Sequence, residues 1–571
     1  MLSCLPPSIS LAIVLAAAAP PEAAPNSADD WVEETLASMS VREKAAQMVM
    51  PWIPGGPIER RADRERIERL VREHRVGGFI VGRGDGAATE RTLARLQQLS
   101  DVPLLIGADV ERGAGMRLVG ATSLAPQMAL GATGDLELAH RQGLATAVES
   151  RRAGIHLAFA PVADVNINPK NPIINTRAFG SEPRMVSRFV GAYVRGLHDG
   201  GMLAVAKHFP GHGDTRTDSH LALPVIDVRR ARLDSVELVP FRAAIDAGAG
   251  GIMSAHIAVP ALSGERVPAT LSRAILTGVL REELGFEGLI VTDALTMAGV
   301  ERFAEDADVV LRAVLAGADI LLQPRDPDLA IDVLVEAVRR GELRASRLDA
   351  SVRRILSAKA RLGLHRSDTV WAPVVENVER VRQRNRTLAG EIAERSIVLV
   401  RDEDGLVPAR NVRSAVWIHY VDRGAADDAG FGEELGEAGW DVERIRIRRG
   451  APARQVATAE RAARAAAARG QLVIMSSVTQ AVPWGGTTAL PARFRAMVTR
   501  LSARPLVYIS FGDPYLLSTF PEVSSYLLAW SDAEAQQRAA ARALLGRIAI
   551  TGTLPIDLPP SHSTGFGLIR R

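Results

Sequence analysis

Between residues 29 and 364 the chain repeats one pattern: a short apolar run, a polar or charged residue at its C-terminal end, then a longer amphipathic stretch. The runs fall at 47–50, 77–81, 104–108, 157–161, 204–207, 251–255, 289–292 and 319–322. Continuous apolar runs of strand length, spaced by helix-length segments, describe parallel strands buried on both faces, and eight of them close a (β/α)8 barrel. Asp109, Asp164 with Asn166, His208, His256, Asp293 and Gln323 stand at or just beyond the run ends. In a barrel those ends surround the mouth where active sites lie. Taken singly, Asp164 and Gln323 read better as caps or turn residues opening the next helix.

Only about 300 residues fit around one core, so a chain of 571 residues calls for a second domain. The apolar pattern restarts after Leu388, with strands at 397–400, 416–420, 472–475 and 506–510 and an Ala/Arg helix around 460–469. The expected architecture is α/β: a (β/α)8 TIM-like barrel over 27–370, a linker over 371–387, and a smaller α/β/α sandwich over 388–571 with a mostly parallel sheet. Residues 1–26 hold an apolar run, 9–19, before a Pro/Ala-rich stretch, which reads as a secretory signal without a basic n-region and places the protein in the periplasm or outside the cell. Cys4 is the only cysteine, so no internal disulfide or cysteine zinc site can form. Net charge is +3 and the arginines alternate with acids, which speaks against nucleic acid as a partner; no later run is long enough to span a membrane.

Chemistry concentrates in residues 207–220, Lys-His-Phe-Pro-Gly-His-Gly-Asp-Thr-Arg-Thr-Asp-Ser-His, which begins as the fifth run ends. Lysine occurs at only four positions among 69 basic residues, so Lys207 beside His208 suggests a site that needs an amine. Asp218 and His220 are two apart, and in an extended loop both side chains emerge on one side. A carboxylate on one imidazole nitrogen fixes the tautomer and raises the basicity of the other, which makes a proton donor. Asp293, leaving a β-branched run, can serve as a buried nucleophile or as a helix cap. His208, His212, Asp214, Asp218 and His220 also have metal-ligand spacings, but Lys207 and Arg177 would repel a cation, so neither metal nor cofactor is expected. The glycines of Gly82-Arg83-Gly84-Asp85-Gly86 are misplaced for a dinucleotide fingerprint, and neither a P-loop nor a Gly-x-Ser-x-Gly elbow occurs.

On these residues the chain resembles the β-N-acetylhexosaminidases of glycoside hydrolase family 3, from residue 31 to about 559 and with 207–220 as the most specific segment. Asp109-Val110-Glu111, Arg177-Ala178-Phe179-Gly180, Gly512-Asp513-Pro514-Tyr515 and Gly552-Thr553-Leu554-Pro555 agree with it. The resemblance implies a retaining exo-hydrolase with Asp293 as nucleophile and His220 with Asp218 as acid/base. It also implies that Asp109, Arg117, Arg177, Lys207 and His208 grip a terminal β-linked N-acetylglucosamine, as in small oligosaccharides or muropeptides of peptidoglycan. Alternatives are a phosphorylase or β-glucosidase of the same family, and, from another class, a non-catalytic glycan-binding protein. Where many relatives have Glu-Gly-Gly-Arg, residues 111–117 are Glu-Arg-Gly-Ala-Gly-Met-Arg, so a differently shaped loop is expected near Asp109.

Overall fold

A computed structural model describes residues 27–366, 377–422, 429–479 and 489–571. The signal-like segment 1–26 lies outside the described residues. Eight strands form the first sheet: β1 in two pieces, Val49–Met50 and Trp52–Ile53, then β2 Gly78–Val81, β3 Leu105–Ala108, β4 Leu157–Ala158, β5 Leu203–Phe209, β6 Gly251–Ser254, β7 Leu289–Val291 and β8 Leu321–Leu322. All pairings are parallel, from Trp52–Ile53 on β2 round to β7 on β6. The ring closes because β1 changes partner at Pro51. Val49–Met50 pairs with β8, Trp52–Ile53 pairs with β2, and Val291 bridges Ile320. Each of the eight expected runs contains a strand, although the regular part of β4 is two residues rather than five: Pro161 has no N–H to donate, and contact with β5 continues past it only through Lys207 N to Pro161 O at 3.1 Å and the Val162–Lys207 bridge.

The second domain is a six-stranded sheet built from β9 Val398–Asp402, β10 Ser414–Val421, β11 Asp441–Arg448, β12 Leu472–Val478, β13 Leu506–Ser510 and β14 Ser525–Leu528. Their spatial order is β9-β14-β13-β12-β10-β11, parallel except for β9 against β14. Two of these strands carry too weak a pattern to be picked from sequence. β11 is an exposed edge whose Arg and Glu residues break the apolar alternation, a composition that protects an edge from mispairing. β14 is only four residues long.

The segment expected to be linker differs in part. Residues 367–376 lie outside the described residues, but helix Val378–Ser396 takes in the rest. Its Val381, Asn385, Leu388, Ala389 and Ile392 are buried at helical spacing, and charged residues between them mask the stripe. The helix packs on Glu534–Leu545 of its own domain and on Gln127–Thr133 of the barrel. Thr553 N donates to Ala132 O at 3.0 Å and Ser181 N to Pro555 O at 3.0 Å, so backbone bonds also stitch the two domains together.

Candidate active site

A cavity of about 1410 Å³ opens at the C-terminal ends of the barrel strands. Asp109, Arg117, Arg177, Lys207, His208, His220 and Asp293 all line it. The second domain forms part of its wall through Arg386, Gly390, Glu394, Asp532, Glu534 and Arg538.

Lys207, at the end of β5, is nearly enclosed, and its ammonium lies 2.8 Å from Asp109 Oδ1 and 2.7 Å from Glu111 Oε1. Arg117 Nη2 reaches the other Asp109 oxygen at 2.8 Å. Arg177 grips Glu111 with two bonds, Nε to Oε2 at 3.0 Å and Nη2 to Oε1 at 2.8 Å, and lies 3.2 Å from His208 Nε2. Burial opposes ionisation of both acids, but Lys207 and Arg117 hold Asp109 below the usual carboxylate range, and Arg177 with Lys207 does the same for Glu111. Burial likewise opposes charge on Lys207, yet Asp109 and Glu111 raise its pKa. Cations and anions therefore stay charged together and offer a polyhydroxylated ring several donors and acceptors at once. The divergent loop 111–117 contains a 3₁₀ turn, Ala114–Met116, and still delivers Arg117 to Asp109.

Asp164 corrects the capping expectation. It is fully buried, and its carboxylate meets His208 Nδ1 at 2.7 Å while accepting from the backbone N–H of His212 at 2.6 Å and of His208 at 3.3 Å. One carboxylate thus orients the His208 ring and pins the start of the loop that carries His220. Asn171 Nδ2 donates to His212 O at 2.9 Å and Asn168 Nδ2 to Asp214 O at 3.1 Å, holding the loop further along. Gly213 passes so close to Val165 that a Cβ there would stand 1.8 Å from its carbonyl oxygen, which restricts the position to glycine.

Asp218 and His220 meet, but through a turn rather than an extended loop. Asp218 Oδ1 accepts from the His220 backbone N–H at 2.9 Å and lies 2.7 Å from His220 Nδ1, and Leu221 N returns to Asp218 O at 2.9 Å. Burial works against the Asp218 anion, but the hydrogen bonds from His220 hold its pKa below the ordinary value. The turn docks on the segment that follows β7: Gly299 N donates to Ser219 O at 3.0 Å and Arg302 Nη1 to Leu221 O at 3.2 Å. This anchoring brings His220 to the same cavity as Asp293.

Asp293 is no cap for a following helix; Oδ1 accepts from the adjacent Ala294 N–H at 2.8 Å. Burial favours its neutral form, but the imidazoles of His256, His208 and His220 and the Ala294 N–H favour the anion and lower its pKa overall. His256 is itself lowered by burial and is held by Thr270 Oγ1 at 2.9 Å and Ala294 O at 3.0 Å. Burial drives His212 down to about 4, and its ring lies between Thr215 Oγ1 at 2.8 Å and Ser219 Oγ at 2.9 Å, so it braces the loop as a neutral group. No group of three His, Cys, Asp or Glu side chains suited to a metal ion occurs among the described residues.

Sequence reasoning gave no role to Glu111, which the bidentate pair with Arg177 now defines. It also gave none to the second-domain wall. Asn166 Nδ2 donates to Tyr515 Oη at 2.8 Å and Asn175 Nδ2 to Asp513 Oδ1 at 3.3 Å, so the Gly512–Tyr515 motif supports the barrel loops from behind.

A barrel mouth with a charged cradle, a buried carboxylate and an Asp–His pair in one cavity has the parts of a glycoside-cleaving site. Residues 40–358 match the family model described as the glycosyl hydrolase family 3 N terminal domain. A β-N-acetylglucosaminidase/β-glucosidase of Cellulomonas fimi is 33% identical over 94% of this chain and 97% of its own length. The solved family 3 β-N-acetylglucosaminidase from Paenibacillus sp. str. FPU-7 superposes with a TM-score of 0.82 at 33% identity, covering 91% of this chain and 99% of that one. A solved β-glucoside phosphorylase has the same TM-score of 0.82 at 28% identity, covering 93% of this chain and 96% of that one. The chain belongs to glycosyl hydrolase family 3.

Proposed function

We propose that the protein is a retaining exo-acting β-N-acetylhexosaminidase that removes a terminal β-linked N-acetylglucosamine, and that muropeptide fragments of peptidoglycan are its substrates. The observation that carries the reading is the docking of the Asp218–His220 turn against the residues after Asp293, which gives one cavity a buried carboxylate and a carboxylate-braced imidazole. Asp293 attacks the anomeric carbon while His220, protonated and steadied by Asp218, gives its proton to the glycosidic oxygen and releases the aglycone. Water then gives a proton back to His220 and attacks the glycosyl-enzyme, regenerating Asp293 with net retention. Asp109, Arg117, Arg177, Lys207 and His208 hold the ring in this scheme. The signal-like segment supports export, which N-terminal sequencing of protein recovered outside the cytoplasm would test.

The deciding experiment compares 4-nitrophenyl β-N-acetylglucosaminide, glucoside and xyloside, with and without inorganic phosphate. The expected result is preference for the N-acetylglucosaminide and free sugar in both buffers. Sugar 1-phosphate as the main product would make the protein a phosphorylase, and preference for the glucoside would make it a β-glucosidase. Sugar binding without release from any of the three would leave a glycan-binding protein.

A further inference from the structure

Among the described residues eight large apolar side chains are exposed, and Trp52 is the only aromatic one and the only one that lines the active-site cavity. It is 49% exposed, whereas Lys207 deep in the same cavity is 2% exposed. Trp52 therefore belongs to the outer lip, beyond the charged cradle.

Its seat is rigid. Trp52 pairs with Ile80 in the β1–β2 ladder, and Gly82 N donates to Ile53 O at 2.9 Å. The indole lies on Gly82: a Cβ there would stand 2.7 Å from Cζ2 and 3.0 Å from both Cε2 and Nε1. The Nε1–Cε2–Cζ2 side of the indole is thus seated against the backbone, while half of the side chain stays exposed. The strand ends beneath are interlocked without side chains, since a Cβ on Gly84 would meet Gly55 C at 2.1 Å and one on Gly55 would meet Gly82 O at 2.5 Å. Gly56 is then fastened to the helix Gly86–Gln98 by its N–H to Thr89 Oγ1 at 2.7 Å. A half-exposed indole fixed in place has its ordering cost already met before any ligand arrives.

We propose that Trp52 is the stacking platform for the sugar ring of the leaving group, and so a residue that sets preference for pyranose aglycones. This rests on the reading of the cavity as an exo-glycosidase site. In such a site the inner cradle holds the terminal sugar and the aglycone points outward past the lip. One face of a pyranose presents C–H groups and packs on an aromatic plane, while its hydroxyls point sideways into water or toward polar neighbours. Gly82 is a second determinant, because any side chain there would collide with the indole and push it from its seat.

The test uses two substrates with the same terminal sugar: the β-1,4-linked disaccharide of N-acetylglucosamine and N-acetyl-β-glucosaminyl fluoride, whose leaving group has no ring. Trp52→Ala is expected to lower kcat/KM about tenfold on the disaccharide and by less than about twofold on the fluoride. Trp52→Phe, which keeps an aromatic face, is expected to restore most of the loss. An unchanged disaccharide rate, or an equal fall on both substrates in both variants, would overturn the platform. If the wild type released sugar from neither substrate, the reading of the site itself would fall and the platform with it.

Discussion

Two of the four lysines are buried, at opposite ends of the barrel, and their surroundings could hardly differ more. At the mouth, Lys207 is ion-paired to Asp109 and Glu111, and its pKa is raised. At the floor, Lys359 is wholly buried, its ammonium donates to the Gln47 amide oxygen at 2.6 Å, and burial drives its pKa down to about 7. The floor also holds Asp319, which precedes β8 and is held by Arg281 at 2.5 Å, Ser351 at 2.6 Å, Arg354 at 3.3 Å and the Ile290 N–H at 3.0 Å. Floor charges are consumed in joining strands to helices. Mouth charges are balanced among themselves and still face a cavity. Chemistry therefore belongs to the mouth and stability to the floor, as the barrel architecture favours.

That contrast breaks if mouth substitutions unfold the protein or floor substitutions disturb turnover. Asp293→Ala should give the largest effect on rate, about 10⁴-fold or more in kcat, with a far smaller change in the thermal midpoint than a floor substitution gives, because the hydrogen bond it gives up is to its own neighbour, the Ala294 N–H. His220→Ala should cost about 10²–10⁴-fold, and less on substrates whose leaving group needs no proton. Calorimetry beside steady-state kinetics checks both variants; a large fall in the unfolding midpoint for either would move these residues into the structural class.

Asp319→Asn should do the opposite. It leaves Arg281, Arg347 and Arg354 without their shared anion and should destabilise the barrel by about 3–5 kcal/mol, while protein that remains folded keeps its kcat/KM. Denaturant titration with activity normalised to folded protein measures this. A selective loss of kcat would mean that the floor reaches the chemistry.

The smallest effect expected is a slope. The unfolded chain protonates Lys359 up to about 10.5 and the folded one only up to about 7, so the lysine's cost is full below pH 7 and vanishes as pH rises toward 10. Relative to Lys359→Met, the wild type should gain stability between pH 7 and pH 10, with identical kinetics at any pH where both are folded. Parallel stability curves for the two proteins over that window would show that the ammonium is stabilised by something other than the Gln47 amide.

How much of this was legible beforehand follows from the same division. Strands buried on both faces must be apolar throughout, so the eight runs could be counted directly. The edge strand Asp441–Arg448 and the start of helix Val378–Ser396 face water in part, and their charges hide the apolar positions. In the site, residues 207–220 stood out because their chemistry is contiguous. Asp164 and Glu111 did not, because their roles come from partners 44 and 66 residues away, at His208 and Arg177. The Asp218–His220 contact is legible in the sequence and its geometry is not: alternation suggests an extended loop, whereas an aspartate accepting the N–H two residues on makes a turn. The second-domain wall was invisible in sequence, since nothing in the charges at Glu394 or Asp532 marks the direction in which two domains dock.

The pairing of Asp293 with His220 across one sugar is tested most directly by trapping the glycosyl-enzyme. Incubation with the 5-fluoro derivative of N-acetyl-β-glucosaminyl fluoride, followed by proteolysis and mass mapping, should place one sugar on the peptide containing Asp293, with none on the Asp293→Ala protein. A sugar on Asp218 or another carboxylate, or turnover that inverts the anomeric centre with no adduct at all, would contradict the account.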